Sequence, residues 1–342
     1  EAAKLNEAAL QFLANERVKR GLPVDARVDP ARGGMVGLAM SPISSRVGSL
    51  PAKRTTRDPN WSAFIVSMLV EAGVKAGDFV AVGMSGSFPA WNVALLAAAE
   101  KMGFRPIVIS SVASSSWGAN DPSFTWLDME RALADAGIFH TRSIFASLGG
   151  LEDRAVGLSP DGVNALRASI RRNEVREIST STLQEGTEIR MRAYRAAIPA
   201  GAKIKAYVNI GGNMASTGGS HLKKSFHPGL NLTPPVEVGE GQDWLGQDGV
   251  MLRFVRERVP VIHLSGVRAL SEQFGIPWDP EHLRSPGVGL TGKPEAVQWL
   301  SNSAGSSDLG LGHRILPWFA MAVILFTLAW PRISHTVSRR FG

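Results

Sequence analysis

Between Phe79 and Ile109 the chain passes from a short apolar run to small residues, then to a helix-forming run and a second apolar run: FVAVGMSGSFPAWNVALLAAAEKMGFRPIVI. Phe79–Val82 has the length and uniform apolarity of a strand buried on both faces, as strands of parallel sheets are. Gly83, Ser85, Gly86 and Ser87 predict a tight turn, and Pro89 falls early in the next segment, where a missing N–H does not weaken a helix. The helix stops at Gly103, a residue suited to the left-handed position that closes helices. The stretch predicts one βαβ unit, with Ser85, Gly86 and Ser87 at a helix N-terminus on the carboxyl edge of a parallel sheet. Unpaired N–H groups and the helix dipole there favour an anionic ligand or an oxyanion.

The alternation recurs along the chain. Residues 1–21 carry apolar positions at Leu5, Ala9, Phe12 and Leu13 and end before Gly21, the pattern of an amphipathic helix. Residues 22–60 are rich in Pro, Gly, Arg and Asp and read as a long, weakly structured approach to a helix at 61–72. A Ser-rich turn and a helix from about Ser123 follow Ser111, then a strand at Ser143 and a helix ending in Arg167, Arg171 and Arg172, which read as a solvated face. A helix over 183–197, a strand over Ile204–Ile210, the loop GGNMASTGGSH and a strand within PVIHL, flanked by helices, complete the body. The expected fold class is α/β, a mostly parallel sheet with helices on both faces, plus a C-terminal transmembrane helix.

That last element comes from Ile315–Pro331, ILPWFAMAVILFTLAWP, an uncharged run at the lower length limit for a membrane span. Trp318 and Trp330 sit near its ends as interfacial anchors do, and the tail carries Arg332, Arg339 and Arg340 without an acid. The positive-inside rule puts the tail in the cytoplasm and the body outside, so the expected location is the cell membrane, single-pass at the C-terminus. The expected organisation is an amphipathic helix (1–21), an extracytoplasmic α/β domain (22–283), a flexible Gly/Ser-rich stalk (284–313), the transmembrane helix (314–332) and a basic tail (333–342).

Charge changes little beyond this. Residues 314–342 hold four of the 37 Lys and Arg and none of the 30 Asp and Glu, which leaves the rest nearly balanced at 33 against 30. The basic surplus is therefore no argument for nucleic acid, and no basic stripe interleaved with aromatics is present. With no cysteine, disulfides and thiolate chemistry are excluded.

Two small-residue loops carry the candidate chemistry. As an approximate G-x-S-x-G elbow, Gly83-Met84-Ser85-Gly86-Ser87 would present Ser85, or Ser87, as a nucleophile, although serine stands where the closing glycine belongs. Asp128 or Asp153 with His221 or His263 satisfy the chain order of a triad. As an anion cradle, Gly83, Ser85, Gly86 and Ser87 resemble the phosphate-binding turns of sugar-isomerase domains and need no covalent step. As plain structure, Ser87 caps the helix. Gly211, Gly212 and Asn213 open the second loop, and two such loops on one sheet can face a common crevice, with Ser115 nearby. Lys53 and Arg54, in AKRTTR, would draw carboxylates to it if that basic loop projects there. G-x-G-x-x-G and P-loop patterns are absent, and His221 and His227 lack ligand spacing, so no cofactor and no metal are expected. His263 reads as a hydrogen-bonded core histidine.

Several longer segments together resemble one family, the poly-γ-glutamate system proteins of bacterial poly-γ-glutamate synthesis. They are SPISSRVGSLPAKRTTRDPNW, AVGMSGSFPAWNVALLAAAEKMG, SSWGANDPSFTWLDMERAL, KAYVNIGGN and VPVIHLSGVRALSEQFGIPWDP, spread over most of residues 35–280. The resemblance implies a membrane-associated accessory protein of a secreted γ-linked glutamate polymer, with the polymer or another polycarboxylate, the membrane and synthase subunits as partners. It carries no settled catalytic mechanism, and implies a further membrane segment that would precede Glu1. The alternative is a serine hydrolase or transferase acting on γ-glutamyl amides through Ser85.

Overall fold

Local chemistry sets several of the helix starts and stops. The computed structural model describes residues 1–22, 24–235 and 248–288, apart from the side chains of Ser220 and His221. Helix α1 (Ala2–Lys19) buries Ala9, Leu10 and Leu13. After β1 (Ser44–Arg46), Ser49 caps α2 (Leu50–Thr55) by accepting from the Ala52 N–H at 3.4 Å, with Pro51 in the first turn. Next come α3 (Trp61–Glu71), β2 (Phe79–Ser85), α4 (Pro89–Met102) and β3 (Arg105–Ser111), the βαβ unit read from the sequence. Gly103 closes α4 in the left-handed region, φ 72°.

Three two-residue strands, β4 (Ser114–Ser115), β5 (Asn120–Asp121) and β6 (Phe124–Thr125), lead into α5 (Trp126–Asp135), which begins with a capping box between Thr125 and Asp128. The chain continues through β7 (Ser143–Ser147), α6 (Pro160–Arg172), β8 (Arg176–Ile178), α7 (Leu183–Ala196) and β9 (Ile204–Ile210). Short α8 (Met214–Thr217) and α9 (Ser220–Ser225), β10 (Gly229–Asn231), α10 (Val250–Arg256), β11 (Val261–Leu264) and α11 (Val267–Phe274) complete the described elements. Helix α1 packs on α3, α4 and α5.

Among the described residues the main sheet has seven strands in the order β10-β11-β9-β2-β3-β7-β8, parallel throughout except for β10 against β11. Its pleat sends neighbouring residues to opposite faces. Val80, Val82 and Met84 enter one apolar cluster with α1, α3 and α4, while Ala81 faces another built on Tyr194, Tyr207 and Phe254. Both faces are covered, as a parallel sheet requires. From β2 the chain moves outward to β3, β7 and β8, then returns to the other side of β2 with β9. The strand order thus reverses between β2 and β9, and α/β sheets open their ligand crevice at the carboxyl ends of such a pair.

Some sequence expectations shift. AKRTTR is not a loop: Lys53, Arg54 and Thr55 belong to α2, and Arg57 is buried in an ion pair with Asp29. Arg172 is not simply solvated, since it donates to Asp128 Oδ1 at 2.7 Å and to the Pro122 carbonyl at 2.8 Å. Residues 284–288, expected to open the stalk, bond to the body: Arg284 donates to Asp58 at 2.9 Å and the Gly287 N–H to Asn60 at 2.7 Å. The run 315–331, with most of the stalk and the whole tail, lies outside the described residues. Among those described, no helix is long and apolar enough to cross a membrane.

Candidate anion site at the sheet's carboxyl edge

The two small-residue loops meet. Gly211, at φ 83°, lies so close to the first loop that a Cβ there would sit 3.2 Å from the Phe88 ring and 3.4 Å from Ser85 Cβ, so the conformation favours glycine and a side chain would crowd the loop. A Cβ on Gly86 would come within 2.6 Å of the Val112 carbonyl, so this glycine lets the turn after β2 lie against the backbone after β3. The contact is locked by hydrogen bonds. The Ser115 N–H donates to Ser87 Oγ at 3.0 Å, Ser114 Oγ to the Gly86 carbonyl at 3.0 Å, and the Ser87 N–H to Ser85 Oγ at 3.1 Å.

Around this junction lies a cavity of about 250 Å³, walled by the loops that leave β2, β3, β7, β9 and β11 and by the segment from Ser45 to Lys53. Its lining is rich in donors. Ser85, Ser87 and Ser115 contribute hydroxyls, and Asn213 lines it with a buried Nδ2 that has no hydrogen-bond partner among the described residues. Among the described residues the charged ones that line it are Arg46, Lys53 and Lys223; no described carboxylate does, and none of the three makes an ion pair with another described residue.

Lys53 is the unusual member, 3% exposed. Helix α2 aims its ammonium inward, where Nζ bonds Ser115 Oγ at 3.0 Å, donates to the Ser87 carbonyl and lies 3.7 Å from the centre of the Phe88 ring. The ring face favours the cation. Burial, and then the Arg46 guanidinium, oppose it and push Lys53 down to about 7. The same two causes, in the same order, lower Lys223. The Arg46 charge raises the cost of charging both lysines, and a bound anion relieves it.

The polar groups beside the cavity are, by contrast, paired. Asp153 forms an ion pair with Arg190 at 2.8 Å and accepts from Ser111 at 3.0 Å and Ser147 at 2.8 Å. His263 accepts at Nδ1 from Asn209 at 2.9 Å, and burial followed by the Lys223 charge pushes it down to about 3. It is the neutral core histidine its setting in PVIHL suggests. Asp128 is held by Arg172, Asn173 and the Thr125 cap.

The structure places Ser85, Ser87, Ser115, Gly212, Asn213 and Lys53 on the cavity. Gly83 is instead within β2, where a Cβ would strike the Tyr207 hydroxyl at 2.4 Å, and Gly86 and Gly211 shape the backbone behind the wall. Arg54 turns away, donating to the Val28 carbonyl at 2.7 Å and pairing with Asp279 at 3.3 Å, so it ties the N-terminal segment to the body and does not serve the cavity. Ser87 does not cap α4: its hydroxyl is taken by Ser115, and the N-cap position is Phe88. Among the described residues no titratable side chain hydrogen-bonds the hydroxyl of Ser85 or Ser87, and neither Asp128 nor Asp153 reaches them. His221 belongs to α9, and its side chain lies outside the description. Sequence reasoning missed Arg46 and Lys223. Their signal was weak, one arginine within SSRVGS and one of two adjacent lysines within SHLKKS.

Fold and cavity together define an open α/β protein with a cationic pocket at its switch point. Searches of protein-family models, curated proteins and solved structures find no match to this chain, so the resemblance to poly-γ-glutamate system proteins rests on the segments quoted above.

Proposed function

We propose that the chain is a membrane-tethered accessory protein of poly-γ-glutamate synthesis, export or release, which holds carboxylates of the polymer, or of another polycarboxylate, at the switch-point cavity. The observation that carries the reading is the convergence of Arg46, Lys53 and Lys223 on a donor-rich pocket that no described carboxylate lines. A neighbouring depression shares Ser45, Arg46 and Gly150 with the cavity, which suits a ligand longer than one unit. The run 315–331 supports a C-terminal anchor that leaves the body outside the membrane and the basic tail in the cytoplasm, with synthase subunits as neighbours.

Binding of this kind is multivalent and salt-dependent. The full chain should retain poly-γ-glutamate on a column at low ionic strength and release it as salt rises. Arg46→Gln with Lys223→Gln should weaken retention at least about tenfold, the equivalent of about 1.4 kcal/mol. Absence of retention at low ionic strength, or retention indifferent to both substitutions, contradicts the proposal.

A further inference from the structure

We propose that Ser115 and Lys53 form a serine–lysine dyad in this cavity, with Ser115 Oγ as the nucleophile, Lys53 Nζ as its general base, and an amide flanked by carboxylates as the substrate. The inference rests on the anion-binding reading for its substrate class alone; the dyad itself rests on geometry.

Nucleophilic serines need a base within hydrogen-bond reach and a third group that orients the base. All three parts are present. Lys53 Nζ lies 3.0 Å from Ser115 Oγ, and its remaining contact, to the Ser87 carbonyl, takes one N–H. A neutral amine keeps two N–H bonds and one lone pair, so an N–H on the Ser87 carbonyl leaves the lone pair for the Ser115 O–H. Ser87 positions both partners, because its Oγ also accepts the Ser115 backbone N–H at 3.0 Å. Both Lys53 and Ser115 line the cavity, and both are nearly buried, at 3% and 5% exposure.

Burial, and after it the Arg46 charge, favour the neutral amine. Arg46 and Lys223 are the charged described residues that share the cavity; the Phe88 face favours the ammonium, but among the described residues no acid lines the cavity to hold it. With Lys53 brought down to about 7 in the unliganded protein, a large fraction is free base at neutral pH, and a substrate whose carboxylates raise that value is cleaved with its pH inflection displaced upward from that of an uncharged probe. Ser85, by comparison, has the Ser87 N–H as its hydrogen-bonded neighbour and no base.

The chemistry balances with water as the second reactant. Ser115 Oγ attacks the amide carbonyl carbon as its proton passes to Lys53, and the C=O electron pair moves onto oxygen, where the unpartnered Asn213 Nδ2 is a donor on the same cavity. Collapse restores C=O and breaks the C–N bond, the nitrogen leaving with the proton that Lys53 carried. Water then attacks the Ser115 ester and gives a proton to Lys53; the ester C–O bond breaks and the proton returns to Ser115. The products are one carboxylic acid and one amine.

A fluorophosphonate probe tests the dyad without any carboxylate in the ligand. The full chain is labelled over a pH series and the adduct located by peptide mass mapping. The expected adduct is on Ser115, its rate rising through an inflection near 7, the value of Lys53. Lys53→Met should slow labelling by about 10²- to 10⁴-fold, and Lys53→Arg, which keeps the charge but cannot act as a base near neutral pH, should slow it similarly with the fold intact by circular dichroism. No adduct, an adduct on Ser85 or Ser87, or an adduct on Ser115 indifferent to both lysine variants overturns the dyad. Retention of poly-γ-glutamate by the same sample is scored separately. A retained but unlabelled protein refutes the dyad and leaves binding standing; a labelled protein that retains nothing keeps the dyad and refutes the polymer as its ligand.

Discussion

Two polar clusters sit at the carboxyl edge of this sheet, and they differ in charge balance. Around Asp153, one carboxylate meets one guanidinium, Arg190, and the hydroxyls of Ser111 and Ser147 fill out the shell. Around Lys53, three cations share a pocket lined by no carboxylate of the described residues. Both places are desolvated, yet only the first is neutralised from within. A buried ion pair is a structural device that holds β3, β7 and α7 together; an uncompensated group of cations is a destabilising arrangement that a ligand can relieve. Burial of charge alone does not mark a functional site, whereas burial of charge without its opposite does.

The comparison is broken most forcefully at Lys53. A lysine whose folded value is depressed from 10.5 to about 7 contributes stability that is present above the unfolded value and lost as pH falls through the folded one. Wild type therefore carries the full penalty below pH 7, up to about 5 kcal/mol from that shift. Lys53→Met should raise thermal stability, and should do so more at pH 6 than at pH 10, while abolishing retention of the polymer. Chemical denaturation at the two pH values checks the first part. A destabilised variant would mean that Lys53 is a structural tether after all.

The balanced cluster predicts the opposite response. Asp153→Asn keeps a side chain that tolerates the left-handed backbone found here, φ 60°, so the change isolates the loss of charge. It leaves Arg190 buried with no partner carboxylate and should cost about 3 kcal/mol or more in urea unfolding. Polymer binding by the protein that remains folded should be nearly unchanged. If binding falls with no change in stability, Asp153 belongs to the site and the distinction between the clusters is wrong.

Much of the frame was legible in the sequence because it is written locally. The apolar run of β2, the helix formers of α4 and the closing Gly103 lie within thirty or so consecutive residues, and short-range periodicity is enough to read them. The second loop after β9 was legible for the same reason. What was not legible is convergence: Arg46, Lys53 and Lys223 come from three distant segments, and nothing local says they share a pocket. The basic run at 53–57 was misread as a loop because its composition is polar, although Ser49 and Pro51 ahead of it are a helix-start signal. Its residues also part company in space, with Lys53 on the cavity, Arg54 on Asp279 and Arg57 on Asp29. Ser85 was singled out by its turn, yet the serine beside a base is Ser115, on a two-residue strand whose lysine neighbour lies 62 positions earlier.

The central claim is that the cavity's positive charge awaits an anion, and titrating Lys53 tests it most directly. In the full chain, the ¹⁵Nζ resonance of Lys53, assigned by its loss in Lys53→Met, should titrate near 7 without ligand. Addition of a short γ-linked glutamate oligomer should raise that value, since carboxylates among Arg46, Lys53 and Lys223 favour the ammonium. A Lys53 that titrates near the 10.5 of an unperturbed lysine, or that stays where it is as the oligomer is added to excess, contradicts the account.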